Sequence, residues 1–591
     1  MEGERFIVMS KNILLGLCLA WLAQRAGAAE SAAQALPTQA VAAIEIFQPR
    51  AVLGPLLEKD TRATLALAPA IQRAMAKSEF QQFQVLVQFL ETQLGADWPT
   101  ALQKLTGGGL ALGLYPQQRA VFVADSEDEA MLIKLHTLLW NGAQNQAALA
   151  GKPSPATARQ IGNVTAYSLG KNEAHVLAGK RLLWTKSLED MELALQSTQQ
   201  GGGLAATADY QAARRALGSD AAGMIFLNMR ALKLAPGVAK ALKPENGNPL
   251  AALIFAGLGE TAGNANWIAL GLQVKPHGLS LQLVSDAKPA GTNAPAAFAL
   301  PELATEGALP NLTVPHQIAA MSLYRDLHRF YAAKDQLFPE RTSGLIFFEN
   351  MMGIFFSGRD LTDDVLAQAT PHIRFVAAQQ QFDPAIGTPV YRLPAFAVVL
   401  QLKKPEQFRE TVEEAWQKAI GLASFTRGQR AEPGFIIERP VYNNIPFSVA
   451  RFSNTYIKDP AKLEVRYNFR PALAMPGNYL IFASTDGLAR NLMDALAREG
   501  QRPVTPAAHV HGVLELEGGK VAAALRANRD FMVKQNMLKG GELKNNEAQI
   551  DGLISLADFI RSARLTTSVQ KTQLELDFNW PPTAAKVVQT P

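Results

Sequence analysis

Cysteine is nearly absent: the 591-residue chain has one, Cys18. A single thiol excludes an intramolecular disulfide framework and a thiolate zinc cluster, so the fold must rest on hydrophobic cores. Charge is sparse too, at 18% of residues with a formal net charge of +5. No dense Lys/Arg block interleaves with aromatics, which argues against a nucleic-acid partner. There is no G-x-S-x-G elbow, no H-E-x-x-H, no phosphate-binding G-x-x-x-x-G-K-[ST] and no EF-hand loop. The glycine triplets at 107–109 and 201–203 lack the strand-to-helix spacing of a phosphate cradle and read as turns. No cofactor is expected.

Long apolar runs are also missing. The run from Ile13 to Ala23 is about half of the roughly 20 residues that span a bilayer. It follows Arg5 and Lys11 and precedes the small residues Ala26, Gly27, Ala28 and Ala29. A charged start, a short apolar run and a small-residue site together read as a secretory signal peptide over 1–29, working equally well from Met9. Leu17, before Cys18, does not suit lipidation. An exported chain with no cysteine after cleavage fits a bacterial periplasm or cell envelope, with no transmembrane segment left.

The length exceeds what one core can serve and suggests several ordinary domains or two large ones. Six stretches recur in the same order. Ala42–Phe47 resembles Ala319–Tyr324, and Gly95–Trp98 resembles Gly358–Leu361. Ala120–Val123, before a helix led by acidic Glu127, Asp128 and Glu129, resembles Ala397–Leu400 before a helix from Pro405. Gly179 to Leu195 resembles Gly477 to Leu492: a glycine turn, an apolar strand, a hydroxyl cap and an amphipathic helix. Gly223–Leu227 resembles Gly512–Leu516, and the hairpin Leu270–Val284 resembles Leu565–Phe578. The order of the matches carries the argument, with drift confined to loops, where insertion is cheap.

The resulting expectation is a 30–40 linker, a first repeat unit over 41–286, an Ala/Pro-rich linker over 287–315, a second unit over 316–580, and a flexible tail over 581–591. Within each unit, hairpins followed by helices favour an α+β class. Each of the two homologous domains is expected to carry an antiparallel sheet with helices packed on one face.

Candidate chemistry is thin. His509 and His511 would share a strand face by alternation, making them candidate zinc ligands with Glu515 or Glu517. The first unit has Ala221 and Ala222 near that position, so the pair lies outside the repeated framework. The other histidines, among them His136 and His175, are isolated in sequence. Glu127 to Glu129 and Asp363–Asp364 sit at helix starts, where negative charge is favourable, and Glu413–Glu414 lies on an amphipathic helix. The apolar stretch Phe347 to Phe356 suits a core helix, with a lipid groove or partner surface as the other reading.

The segment ending in Thr185-Lys186-Ser187, with Ala483-Ser484-Thr485 in the second unit, resembles a pattern in exported bacterial envelope proteins classed as a domain of unknown function. The resemblance implies an exported soluble protein and brings no catalytic residues. The expected function is a non-enzymatic envelope binding or scaffold protein for a protein, lipid or polymer. The rival is an envelope hydrolase with a site assembled from dispersed Asp, Glu and His.

Overall fold

The computed structural model describes residues 31–58, 62, 75, 78–170, 173–199, 203–234, 263–287, 301, 303, 305–338, 341–457, 459–538, 543–568 and 571–579. The expected signal peptide and C-terminal tail lie outside them. The chain divides into two compact units: 1–241 with 265–287 and 580–591, and 242–264 with 288–579.

Among the described residues the first unit has ten strands: β1 (Ala42–Ile46), β2 (Gly109–Tyr115), β3 (Arg119–Asp125), β4 (Thr157–Ile161), β5 (Val164–Ser168), β6 (Ala174–Ala178), β7 (Arg181–Thr185), β8 (Gly223–Asn228), β9 (Trp267–Lys275) and β10 (Gly278–Ser285). They pair antiparallel in the order β4-β5-β6-β7-β3-β2-β1-β8-β9-β10. Among the described residues its helices of six residues or more are α1 (Pro49–Leu57), α2 (Ser78–Leu94), α3 (Trp98–Thr106), α4 (Glu129–Leu149), α5 (Leu188–Gln199) and α6 (Ala208–Leu217). The helix starts follow their sequence signals. Asp97 accepts from Thr100 N at 3.2 Å, Asp128 from Met131 N at 3.0 Å and Ser187 from Asp190 N at 3.1 Å.

The second unit carries β11 (Gln317–Tyr324), β12 (Ala369–Ala378), β13 (Ala395–Leu402), β14 (Phe435–Glu438), β15 (Val441–Tyr442), β16 (Ile445–Phe452), β17 (Ala472–Ala474), β18 (Tyr479–Ala483), β19 (Val510–Glu517), β20 (Ile560–Ser568) and β21 (Lys571–Phe578). The antiparallel order is β14-β16-β17-β18-β13-β12-β11-β19-β20-β21, with β15 as a short partner of β16. Among the described residues its helices of six residues or more are α7 (Leu327–Ala332), α8 (Thr342–Phe355), α9 (Pro405–Gly428), α10 (Asp486–Gln501), α11 (Gly518–Ala527), α12 (Arg529–Leu538) and α13 (Leu543–Phe559). Thr485 caps α10, accepting from Leu488 N at 3.2 Å. Gly179 and Gly477, before β7 and β18, have φ of 59° and 57°, the left-handed region glycine enters without steric cost.

Helices cover both faces of the strands in each unit, not the single face expected. On β3, Val121 and Val123 join a core with Met191 and Ala194 of α5 and Tyr210 and Ala213 of α6. The alternate residues Phe122 and Ala124 join a second core with Leu102 and Leu105 of α3 and Met131 and Leu132 of α4. In the second unit Val399 and Ile481 pack with Leu488 and Leu492 of α10, while Leu402 and Leu480 face Phe408, Val412 and Trp416 of α9. The sign is legible on β3, whose five central residues are all apolar and buried: a strand covered on both sides loses its polar alternation. Each fully buried Leu, Val or Met contributes roughly 1.5–3 kcal/mol relative to exposure.

One expected linker is core, and the other ends in core. Ala32–Ala35 forms a 3-10 helix, and Ala32, Ala33, Ala35, Leu36 and Ala40 are buried in the first core. Glu45 anchors the segment, accepting from Ser31 Oγ at 2.5 Å and Ala33 N at 3.1 Å. Within the 287–315 span, residues 288–300, 302 and 304 lie outside the described residues. Its end is packed: Leu312 and Val314 join the core around β13, and Ala308 N donates to Val510 O at 2.6 Å. Alanine and proline richness suggested a linker, but small apolar side chains also suit close packing against a sheet.

Candidate functional site

The most distinctive feature is an apolar cavity of about 710 Å³ in the second unit. Its floor is the sheet face bearing Leu400, Leu402, Leu480 and Phe482. One wall is α9, through Phe408, Val412, Ala415, Trp416 and Ala419. Another is α8 and its C-terminus, through Phe348, Met352, Phe355 and Phe356. Tyr331 of α7, with Leu327 and Phe330, closes one end. The volume lies in the range of roughly 300–1,000 Å³ that encloses small ligands.

α8 is apolar on two sides. Phe348, Met352 and Phe355 project to the cavity, while Ile346, Phe347 and Ile354 are 52%, 71% and 68% exposed. At about 100° per residue these two sets occupy opposite sides of the helix. The stretch is therefore neither simple core nor simple surface. A helix apolar on all sides normally has both sides covered.

A second cluster stands in the first unit. His136 Nε2 lies 3.1 Å from His175 Nε2, and His175 Nδ1 lies 3.1 Å from Glu173 Oε2. Trp140 and Tyr167 pack around them, with ring centroids 5.9 and 4.7 Å from His136. Burial first, then His175, pushes the His136 pKa down to about 4. These residues looked isolated because 39 positions separate the two histidines. The visible signal is His136 and Trp140, four apart on one helix face. Ser168, the nearby hydroxyl, donates to the Gly170 and Glu173 carbonyls and does not face either imidazole.

The sequence-predicted residues do not assemble. His509 precedes β19 in a turn, with φ of 59°, so the alternation that would align it with His511 breaks there. His511 is buried, with Nδ1 3.5 Å from the cationic Arg325 Nη1, an unfavourable neighbour for a metal ion. Burial, then Arg325, pushes its pKa down to about 4. Glu515 accepts from Asn311 Nδ2 at 2.9 Å. Among the described residues, no group of three or more His, Cys, Asp or Glu is placed to hold a metal ion.

The paired carboxylates are held by separate contacts. Glu127 binds Arg50 at 2.6 Å, Asp128 caps α4, and exposed Asp363 lies 3.2 Å from half-buried His328. Glu413 approaches Arg439 at 3.8 Å, and Glu414 pairs with Lys418 at 2.8 Å. Among the described residues, no helix is long and apolar enough to cross a membrane.

No protein-family model and no curated protein matches the chain. Among solved structures it is similar to crystal form I of TP0453, at 7% identity, covering 44% of this chain and 81% of that one, with a TM-score of 0.23. Crystal form III of TP0453 gives 7% identity, 45% and 83% coverage, and the same TM-score of 0.23.

Proposed function

We propose that this is an exported, non-enzymatic envelope protein that binds an apolar ligand in its second unit. The carrying observation is the 710 Å³ cavity walled by aliphatic and aromatic side chains. Such a space favours a hydrocarbon-like ligand, because transfer from water gains roughly 25 cal/mol per Å² of apolar surface buried. The exposed Ile346, Phe347 and Ile354 on the wall helix suit a protein that meets lipid or a partner surface. Organic extraction of the purified chain followed by mass spectrometry tests the reading. It expects bound apolar molecules, and their absence together with failure to bind added hydrocarbon probes would refute it. N-terminal sequencing of exported material tests the signal peptide, with a start after Ala28 or Ala29 expected.

The two units are read as copies of one ancestral unit, broadly 41–286 and 316–580. Supporting this, each strand of the first sheet has a counterpart at the same place in the second order. Ile46 faces Gly223 and Leu323 faces Gly512, as the first and fifth sequence matches require. Ile225 faces Leu270 and Leu514 faces Leu565, in keeping with the fifth and sixth. A binding cavity in one copy then represents divergence of one member of the pair.

The hydrolase reading has one observation in its favour, the Glu173–His175–His136 chain. His175 presents Nε2 to another imidazole, where a nucleophile would need to stand. Assays against ester and amide substrates, with His136→Ala as control, distinguish the two readings.

A further inference from the structure

Building on the apolar-ligand reading, we propose that the cavity takes one alkyl chain tail-first and leaves its head group in water. Chain length, not head-group chemistry, then decides what binds. The cavity has a blind end and a mouth. β13 ends at Leu402 and α9 starts at Pro405, so the helix doubles back along the strand. At that turn Leu402 and Phe408 line the cavity with Leu361 and Val365, and all four are at most 8% exposed. Tyr331 of α7 packs against this group, and its ring meets that of Phe348 edge-on at 6.4 Å between centroids. Further along α9, Ala419 lines the cavity and is exposed, and Phe482 of the floor is 38% exposed. Phe482 pairs with Val398, at the far side of Leu400 from Leu402 on β13. α9 rises about 16 Å between Phe408 and Ala419, at 1.5 Å per residue. An extended chain fits that path, with its tail against Leu402 and its head beyond Ala419.

The lining does not read a head group. None of its residues carries a charge, and its polar side-chain atoms are the Tyr331 hydroxyl and the Trp416 indole nitrogen. The Tyr331 hydroxyl stands at the blind end beside the Glu349 carboxylate, with Asp335 and Asp360 near. Trp416 lies between Val412 and Ala419 on α9, alongside the chain and not at its head. Next to the mouth, Lys418 is tied to Glu414 at 2.8 Å and to Ser357 Oγ at 2.6 Å. Ser357 Oγ in turn donates to Glu414 Oε1 at 2.8 Å, so these polar groups serve one another. A head group outside the mouth keeps its hydration, and the gain comes from the tail. Each methylene moved from water into such a lining is worth about four-fold in affinity. The gain stops when the tail meets the blind end, where Val365 stands.

The test uses the full-length, delipidated chain with Nile red as a hydrocarbon-seeking probe, each competitor kept below its micelle threshold. Dodecanoate, dodecanol and dodecylamine share a tail and differ in head. They are expected to displace the probe within about five-fold of one another, whereas a site that bonds a head group separates such analogues by far more. Octanol, decanol and dodecanol share a head and differ in tail. Each step is expected to tighten displacement about sixteen-fold, from two more buried methylenes. Val365→Phe, which fills the blind end, is expected to weaken dodecanol at least about five-fold and to leave octanol unchanged. A head-group preference beyond the stated margin, or equal displacement by the alcohols, overturns tail-only binding and leaves the cavity reading intact. Equal effects of Val365→Phe on octanol and dodecanol overturn the tail-first orientation. Failure of the wild-type chain to bind Nile red overturns the cavity reading itself. The competitor series needs no variant, so a variant that misfolds does not decide the outcome.

Discussion

Arg374 and Glu499 form a two-pronged ion pair inside the second unit, with Nη1 to Oε2 at 2.6 Å and Nη2 to Oε1 at 2.7 Å. The side chains are 3% and 11% exposed, and Tyr479 Oη adds a third bond to Glu499 Oε1 at 3.1 Å. The pair fastens the middle of β12 to the last turn of α10. Arg374→Met leaves the Glu499 carboxylate nearly dry with only Tyr479 to serve it, and is expected to cost about 3–5 kcal/mol. Urea unfolding measures this. A loss under about 1 kcal/mol would mean that the pair is hydrated in solution.

Acid should destabilise the protein through two histidines. His136 faces His175, Tyr167 and Trp140, with Glu173 beyond; His511 faces Arg325 and Thr567. Both rings have pKa values lowered from 6.5 to about 4 by burial. The unfolded chain therefore binds more protons between those values, so their contribution is complete above about pH 6.5 and is lost as pH falls toward 4. Buried Glu45 acts in the opposite sense, because burial raises its pKa and its contribution fades as pH rises. A thermal-midpoint series from pH 7.5 to 4 is expected to fall below pH 6.5, less steeply in His511→Gln. An unchanged slope in that variant would remove His511 from the account.

The segment before β1 should be indispensable to the first unit. Glu45 accepts from Ser31, Ala33 and Tyr210, so Glu45→Ala strands three donors and is expected to cost about 1–3 kcal/mol. Gly203, at φ 49°, lies so close to the same segment that an added Cβ would fall 2.2 Å from the Gln34 carbonyl oxygen. Gly203→Ala should therefore also destabilise, both by contact and by backbone strain. Chemical denaturation of each variant checks this, and wild-type stability in both would return residues 31–40 to the status of a linker.

Local features were readable in the sequence where the physics is local. Ser187 and Thr485 each cap the helix their position indicates, and the glycine turns before β7 and β18 were visible in composition. Register was harder. Sequence similarity sets Ala120 against Ala397, yet Val121 pairs with Thr185 and Ala397 with Ala483, so Val121 is the positional counterpart of Ala397. A slip of one residue exchanges the two faces of a strand, and a run as uniformly apolar as β3 does little to prevent it. The sites were harder still. Leu327 and Tyr331 are four apart, but nothing in their spacing foretells the hollow that both line. His136 and His175 meet only because β6 and α4 pack together. The apolar character of α8 was plain, but whether its inner face meets side chains or empty space depends on how α8 and α9 stand over the sheet.

The central claim is that the space beneath α8 and α9 holds an apolar ligand. Ala419 lines it from α9, and Ala419→Phe adds a ring where the cavity can receive one without a polar penalty. Equilibrium titration with Nile red, beside urea unfolding of the same samples, gives the direct test. The account predicts one site per chain in the wild type, and an affinity loss of at least about ten-fold in Ala419→Phe with stability unchanged or raised. Equal binding by both proteins, or none by the wild type, would contradict it.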